Sequence, residues 1–220
     1  MMKKRTTKIG PYDTASYGWT LTGWKLSDPE QKLNYVEKVG GDGAWDLSTV
    51  LTDGIPRYKS RNLTITLELS EGTRDDREEA VNKLVDLLDG FVWPIVPPDR
   101  PDHYLTGRVH VAVNHSGLSY AAVTVTAVVD PWFYRERETV VELAATSAIQ
   151  TATLYNKGRL AVFPELTVTG DVTLQYGAAN IQFAAGSHKW SALLLKQGVH
   201  RLEYSGTGDI TIKYREAVLR

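Results

Sequence analysis

Polar and apolar positions alternate over much of this chain. In Asn62-Leu63-Thr64-Ile65-Thr66-Leu67-Glu68-Leu69 the apolar residues fall at 63, 65, 67 and 69. That period of two predicts a strand with one packed and one wet face. Trp19 to Leu26 alternates as well, but slips at Gly23, where a bulge is expected. Residues 33–39 alternate more weakly and run into the Gly40-Gly41-Asp42-Gly43 loop. Tyr104 to Asn114 and Tyr120 to Val129 read as two strands joined near Ser116-Gly117, a hairpin.

One segment has the helical period instead. In residues 74–89, Val81, Leu84, Val85 and Leu88 form a single apolar stripe. Thr73 is the expected N-cap, acidic residues crowd the first turns, and Gly90 follows the end. Pro94, Pro97, Pro98 and Pro101 then predict irregular chain. Asp130-Pro131 stops the strand before it, and a domain boundary is expected near residue 136. Beyond it no helix is predicted. Short strands are expected at 139–143, 151–155, 160–169, 171–176, 180–184, 189–195, 199–204 and 209–214, separated by glycine-containing turns. That spacing predicts a sandwich or jelly roll.

Composition agrees with the pattern. The 220 residues include 11 Tyr, 6 Trp, 18 Gly and 9 Pro, which suits strands and turns. There is no cysteine, so disulfides, thiolate chemistry and Cys-ligated metals are excluded. With 25 Lys plus Arg against 26 Asp plus Glu, the net charge is −1, and no global basic field exists to hold nucleic acid. Met1 to Arg5 starts like a signal peptide, but no apolar segment follows, so folding in a cytosol is expected. The basic Lys3, Lys4, Arg5 and Lys8 read as a frayed terminus.

Candidate chemistry is sparse. Asp99, Asp102 and His103 lie close together, but in a spacing that matches no metal template. Ser187 and His188 are adjacent on a predicted strand and so point to opposite faces. Glu165, Asp171, Glu203 and Asp209 could supply a glycosidase pair, but all sit at strand ends or turns. Arg108 and His110 share the polar face of a strand, which suits solvent or an interface. No catalytic residue, metal or cofactor is expected, so function is expected in surfaces.

A family pattern is carried by ordered motifs. These are Trp24-Lys25-Leu26, then Gly40-Gly41-Asp42-Gly43 with Asp46-Leu47, then Tyr58 to Leu63. The capped helix, Gly107-Arg108 and Asp130-Pro131 follow, then Asn156-Lys157-Gly158, Val168-Thr169-Gly170 and Tyr204 to Ile210. In this order the chain resembles the distal tail proteins (Dit) of long-tailed, non-contractile bacteriophages. The resemblance implies a mainly β fold with one helix and two β domains. Residues 1–136 would form a ring-building domain, sandwich or barrel-like, with the helix at about 74–89. Residues 137–220 would form a galectin-like β-sandwich. It implies a non-enzymatic, hexameric tail-tip hub in the virion, assembled in the bacterial cytoplasm. Its partners would be copies of itself, the tail tube protein and the tail-tip protein, with receptor-binding proteins or host glycans beyond them and DNA only in transit. Trp132, Phe133 and Tyr134 are then candidates for an interface or interdomain anchor. The alternative reading is a carbohydrate-binding adhesin acting through the carboxy-terminal sandwich.

Overall fold

The computed structural model describes residues 6–52, 54–116 and 119–220. The chain divides into two compact units, Met1–Pro131 and Trp132–Arg220. The division falls ahead of residue 136 because the aromatic run after Pro131 is itself a strand. It pairs with the last strand of the chain.

The first unit contains β1 (Lys8–Ile9), β2 (Tyr12–Asp13), β3 (Thr20–Leu26), β4 (Tyr35–Glu37), β5 (Ala44–Asp46), β6 (Arg61–Leu69), α1 (Arg74–Leu88), β7 (Val92–Val96), β8 (His103–Ser116) and β9 (Ala121–Val129). Seven of these strands make one sheet in the order β2-β1-β7-β8-β9-β6-β3. Every adjacent pair is antiparallel. Leu63, Ile65 and Leu67 of β6 lie opposite Ala127, Val125 and Val123 of β9, so the odd-numbered residues share the packed face. The expected bulge is present in β3, as a register shift between Leu21 and Gly23.

The sheet must curl. A flat sheet of seven strands would hold its edges about 29 Å apart, six spacings of about 4.8 Å. Yet edge strands β2 and β3 are joined only by residues 14–19, of which Thr14–Tyr17 are a 3-10 turn. At about 2 Å per residue in that turn and about 3.4 Å elsewhere, the link spans under about 20 Å. The indole N–H of Trp19 donates to the hydroxyl of Tyr12 at 2.8 Å, across this seam. Both side chains are fully buried.

Helix α1 begins with a capping box. Thr73 Oγ1 accepts from the Asp76 N–H, and the Asp76 carboxylate accepts from the Thr73 N–H. Its buried Val81, Leu84 and Leu88 pack the helix against the sheet. Two expectations are corrected here. Pro94 does not keep its surroundings irregular, because β7 runs through it and pairs with both β8 and β1. The proline carbonyl still accepts, from Gly10 N–H at 2.8 Å, and only a donor is lost. Lys8 is not in a frayed segment, for it pairs with Val96 and Asp13; Lys3, Lys4 and Arg5 lie outside the described residues.

The second unit contains β10 (Phe133–Arg135), β11 (Thr139–Ala144), β12 (Gln150–Asn156), β13 (Glu165–Val168), β14 (Val172–Tyr176), β15 (Ala179–Phe183), β16 (Gly186–Lys189), β17 (Gly198–Gly206), β18 (Asp209–Tyr214) and β19 (Ala217–Val218). Two four-stranded sheets, β11-β18-β13-β16 and β12-β17-β14-β15, share one core. Leu154, Leu174 and Leu202 enter it from one sheet, and Leu166, Ile210 and Ile212 from the other. This is a β-sandwich. The expected strand at 189–195 is instead irregular chain after β16, held by a bridge between Val162 and Leu195. Its Trp190, Leu193 and Leu195 are buried all the same, because they cap the core from a loop rather than from a pleat. Strand β10 pairs with β19, Phe133 opposite Val218. Arg135 also reaches the buried Glu216 carboxylate at 2.9 Å, which ties the start of the unit to its end.

Candidate functional surfaces

The most unusual surface is an arm of the first unit, residues 27–52 and 54–60. Its stem is fastened by Ser27 N–H to Asn62 O, 2.9 Å, and Lys59 N–H to Glu30 O, 2.8 Å. Beyond the stem stands a two-stranded ribbon, β4 paired with β5. The glycines of the loop at its tip, Gly40 and Gly43, take φ values of 75° and 77°, which only glycine adopts freely. Asp46 shapes the ribbon's return. Its carboxylate accepts from the Ser48 N–H at 2.9 Å, and bonding to Ser48 holds its pKa below the ordinary carboxylate value. Most large apolar side chains of the arm lie outside any core among the described residues. Leu33, Tyr35, Val36, Val39, Trp45 and Leu51 are all exposed, Val39 and Leu51 almost completely. Val36 and Trp45 face each other across the ribbon and so form an exposed apolar pair on one of its faces.

The helix end is stitched to β8 just ahead of the start of β7. Gly90 N–H donates to Val109 O and Val109 N–H to Phe91 O, each at 2.8 Å. Asp89 accepts from Val111 N–H at 2.8 Å and lies 3.1 Å from His110 Nδ1. The backbone bond first, and the imidazole second, hold the Asp89 pKa low. Arg108 donates to the Gly90 carbonyl. Arg108 and His110 therefore fasten the helix while lining a groove of about 700 Å³ with Asn62, Thr64, Thr126 and Val128.

The residues weighed for chemistry do not converge. His103 Nδ1 lies 2.8 Å from Asp102, yet among the described residues no group of three acidic or imidazole side chains could hold a metal ion. Ser187 donates to Glu165 at 3.0 Å, whereas His188 Nε2 bonds the Ala184 carbonyl at 2.8 Å, so the two diverge. Glu165 and Glu203 stand on the outer faces of opposite sheets and cannot share a cleft. The turns carrying Asp171 and Asp209 pack backbone against backbone at Gly170 and Gly208. Among the described residues no helix is long and apolar enough to cross a membrane.

At the level of sequence, no family model and no curated protein matches the chain. Solved structures do. The Dit protein (gp 19.1) of phage SPP1, a paradigm of the hub adsorption apparatus in phages infecting Gram-positive bacteria, aligns with a TM-score of 0.67 and 17% identity, over 96% of this chain and 98% of that one. The chain has the SPP1 Dit fold. A chain of the phage P2 baseplate, in its activated conformation with Ca, aligns over 96% and 98% but at a TM-score of 0.41 and 8% identity, too remote to carry weight.

On this Dit-like fold the motif residues fall in three places. Gly40, Gly41, Asp42, Gly43, Asp46 and Leu47 form the tip and return of the arm. Gly107 and Arg108 lie in β8. A Cβ on Gly107 would come within 2.3 Å of Val128 O, so glycine there permits the close approach of β8 to β9. Asp130 and Pro131 end the unit, with Asp130 N–H on Thr106 O at 2.9 Å. Phe133 is buried, and Trp132 and Tyr134 are half-buried. Sequence reasoning did not foresee the exposure of the arm's apolar residues. Alternation at 33–39 signals a strand but not the absence of anything packed on it. The sequence-level signal is that no second long strand lies nearby, only the three-residue β5 beyond a glycine loop.

Proposed function

We propose that this chain is a structural, non-enzymatic subunit of a phage or prophage tail tip. It would form a hexameric hub that links the tail tube to the tail-tip protein and leaves a channel for DNA. The observation that carries this reading is the match of the whole chain, both units in order, to the SPP1 Dit fold. The arm adds a physical reason for self-assembly. Exposed Leu33, Tyr35, Val36 and Trp45 leave the isolated subunit with apolar surface to bury, and a neighbour in a closed ring would cover it. The net charge of −1 keeps repulsion between like subunits small. Half-buried Trp132 and Tyr134 are the offered anchors for a further contact.

Negative-stain images and light scattering of the purified protein test the reading. A six-fold ring with an open centre is expected. Trp45→Ser, at a side chain that is 60% exposed, is expected to shift the population toward smaller species without lowering the melting temperature. A strictly monomeric wild-type species at high concentration would overturn it.

A further inference from the structure

Aspartate followed by glycine occurs three times in the chain, at 42–43, 53–54 and 89–90. Asp53 lies outside the described residues, and the other two steps stand in opposite surroundings. An Asp-Gly step can rearrange without an enzyme, because the glycine nitrogen lies within reach of the preceding side-chain carboxyl. Glycine has no Cβ to shield that nitrogen or to restrict the backbone angles that ring closure needs. Reaction then requires a free carboxyl group, a free glycine N–H and a backbone able to turn one onto the other.

At Asp89-Gly90 all three are withheld. The Asp89 carboxylate accepts from Val111 N–H at 2.8 Å and lies 3.1 Å from His110 Nδ1. Gly90 N–H donates to Val109 O at 2.8 Å, and Asp89 N–H to Val85 O at 2.9 Å. Arg108 holds the Gly90 carbonyl. The step is pinned between α1 and β8. Asp42-Gly43 is the reverse. Residues 38–43 are all exposed. Among the described residues the Asp42 carboxylate has no hydrogen bond or ion pair, and the Gly43 N–H has no backbone acceptor. A Cβ on Gly43 would meet nothing within 4 Å, so the nitrogen is open to attack. The ribbon beneath has three residues in each strand, and two strands of that length hold a tip weakly.

We propose that Asp42-Gly43, at the tip of the arm, is a site of spontaneous isoaspartate formation. The Gly43 nitrogen attacks Cγ of the protonated Asp42 carboxyl. A C–N bond forms, the C–OH bond breaks, and the hydroxyl leaves with the amide proton as water. Solvent water then opens the resulting succinimide ring. Opening at Cγ restores aspartate; opening at the main-chain carbonyl leaves isoaspartate, whose main chain runs through the side-chain carbon. No oxidant, reductant or cofactor is consumed. The tip becomes one carbon longer between Lys38 and Gly43, whose N–H to O bond of 3.2 Å closes it. This chemistry belongs to the single chain and does not rest on the hub reading.

The test ages the full chain in warm, mildly acidic buffer for several weeks. Tryptic peptides are then fragmented by electron transfer, which places isoaspartate by residue, and an isoaspartate methyltransferase labels it independently. Isoaspartate at Asp42 should exceed that at Asp89 by roughly tenfold or more, since at least two hydrogen bonds must break before Asp89 can react. In urea, where neither step is held, the two should react about equally. Asp42→Glu, whose ring would need six members, should remove the signal at this position with the melting temperature unchanged. Asp42→Asn should raise it, with ammonia leaving in place of water. Absence of isoaspartate at Asp42, equal amounts at Asp42 and Asp89 in the folded chain, or a difference that persists in urea would each overturn the proposal.

Discussion

Replacing Tyr12 by Phe removes one hydroxyl group from the seam where the seven-stranded sheet curls back on itself. The ring stays, and with it the stacking on Tyr17 at 4.4 Å. What is lost is the acceptor for Trp19 Nε1–H, at 2.8 Å, in a place where both side chains are fully buried. An indole donor left without a partner away from water costs about 1–3 kcal/mol. For a unit of this size that lowers the melting temperature by about 4–12 °C. The same hydroxyl also makes a prediction in alkali. Burial pushes the Tyr12 pKa from 10.0 up to about 12, against a smaller opposing effect of the Trp19 bond. Because the folded pKa is raised, the unfolded chain releases this proton first. The contribution is therefore whole below pH 10 and is lost as pH rises toward 12, by an amount on the order of 1–3 kcal/mol. Wild type should lead Tyr12→Phe at neutral pH and lose that lead between pH 10 and 12. Thermal melts of both proteins, followed by tryptophan fluorescence across that range, measure the difference. Equal melting temperatures at pH 7, or parallel alkaline curves, would refute the seam as a closure held by this bond.

Two more predictions concern how β8 is held. Gly107→Ala should cost at least about 1–3 kcal/mol, because its Cβ meets backbone atoms that cannot turn away, Val128 O at 2.3 Å and Val129 Cα at 2.8 Å, besides Val129 Cγ1 at 2.7 Å; chemical denaturation reads the loss, and a wild-type midpoint would contradict the close approach. Asp89→Asn should flatten the acid limb of the stability curve, since the carboxylate's folded pKa is depressed by the Val111 N–H and by His110. Its contribution is present above the unfolded value of about 3.9 and is lost as pH falls through the lower folded value, so wild type and variant should converge in strong acid.

The elements that sequence made legible share a cause. The 74–89 helix declares itself by its stripe, its Thr73 cap and its Gly90 stop, all local signals. Strand β6 declares itself by strict alternation, since one of its faces is packed and the other wet. Strands β1 and β2 escaped notice because two residues hold no period. Strand β7 was hidden by Pro94, whose carbonyl serves the ladder although its nitrogen cannot. The apolar run at 189–195 misled in the other direction. Trp190, Leu193 and Leu195 are buried from a loop, and a loop side chain can reach a core without obeying a pleat.

By itself the sequence determined a cysteine-free, nearly neutral chain, mainly β with one helix. These properties depend on composition and on neighbours a few residues apart. Tertiary structure alone decided three others. The sheet's edges meet because a short 3-10 turn joins strands that lie six places apart in the sheet order. Leu33, Tyr35, Val36, Val39, Trp45 and Leu51 of the arm stay exposed because no element among the described residues covers them. Asp42-Gly43 and Asp89-Gly90 are the same step in sequence, and they differ because β8 lies alongside only the second. Each is a relation between distant segments, and local periodicity carries no information about which distant segment will lie alongside.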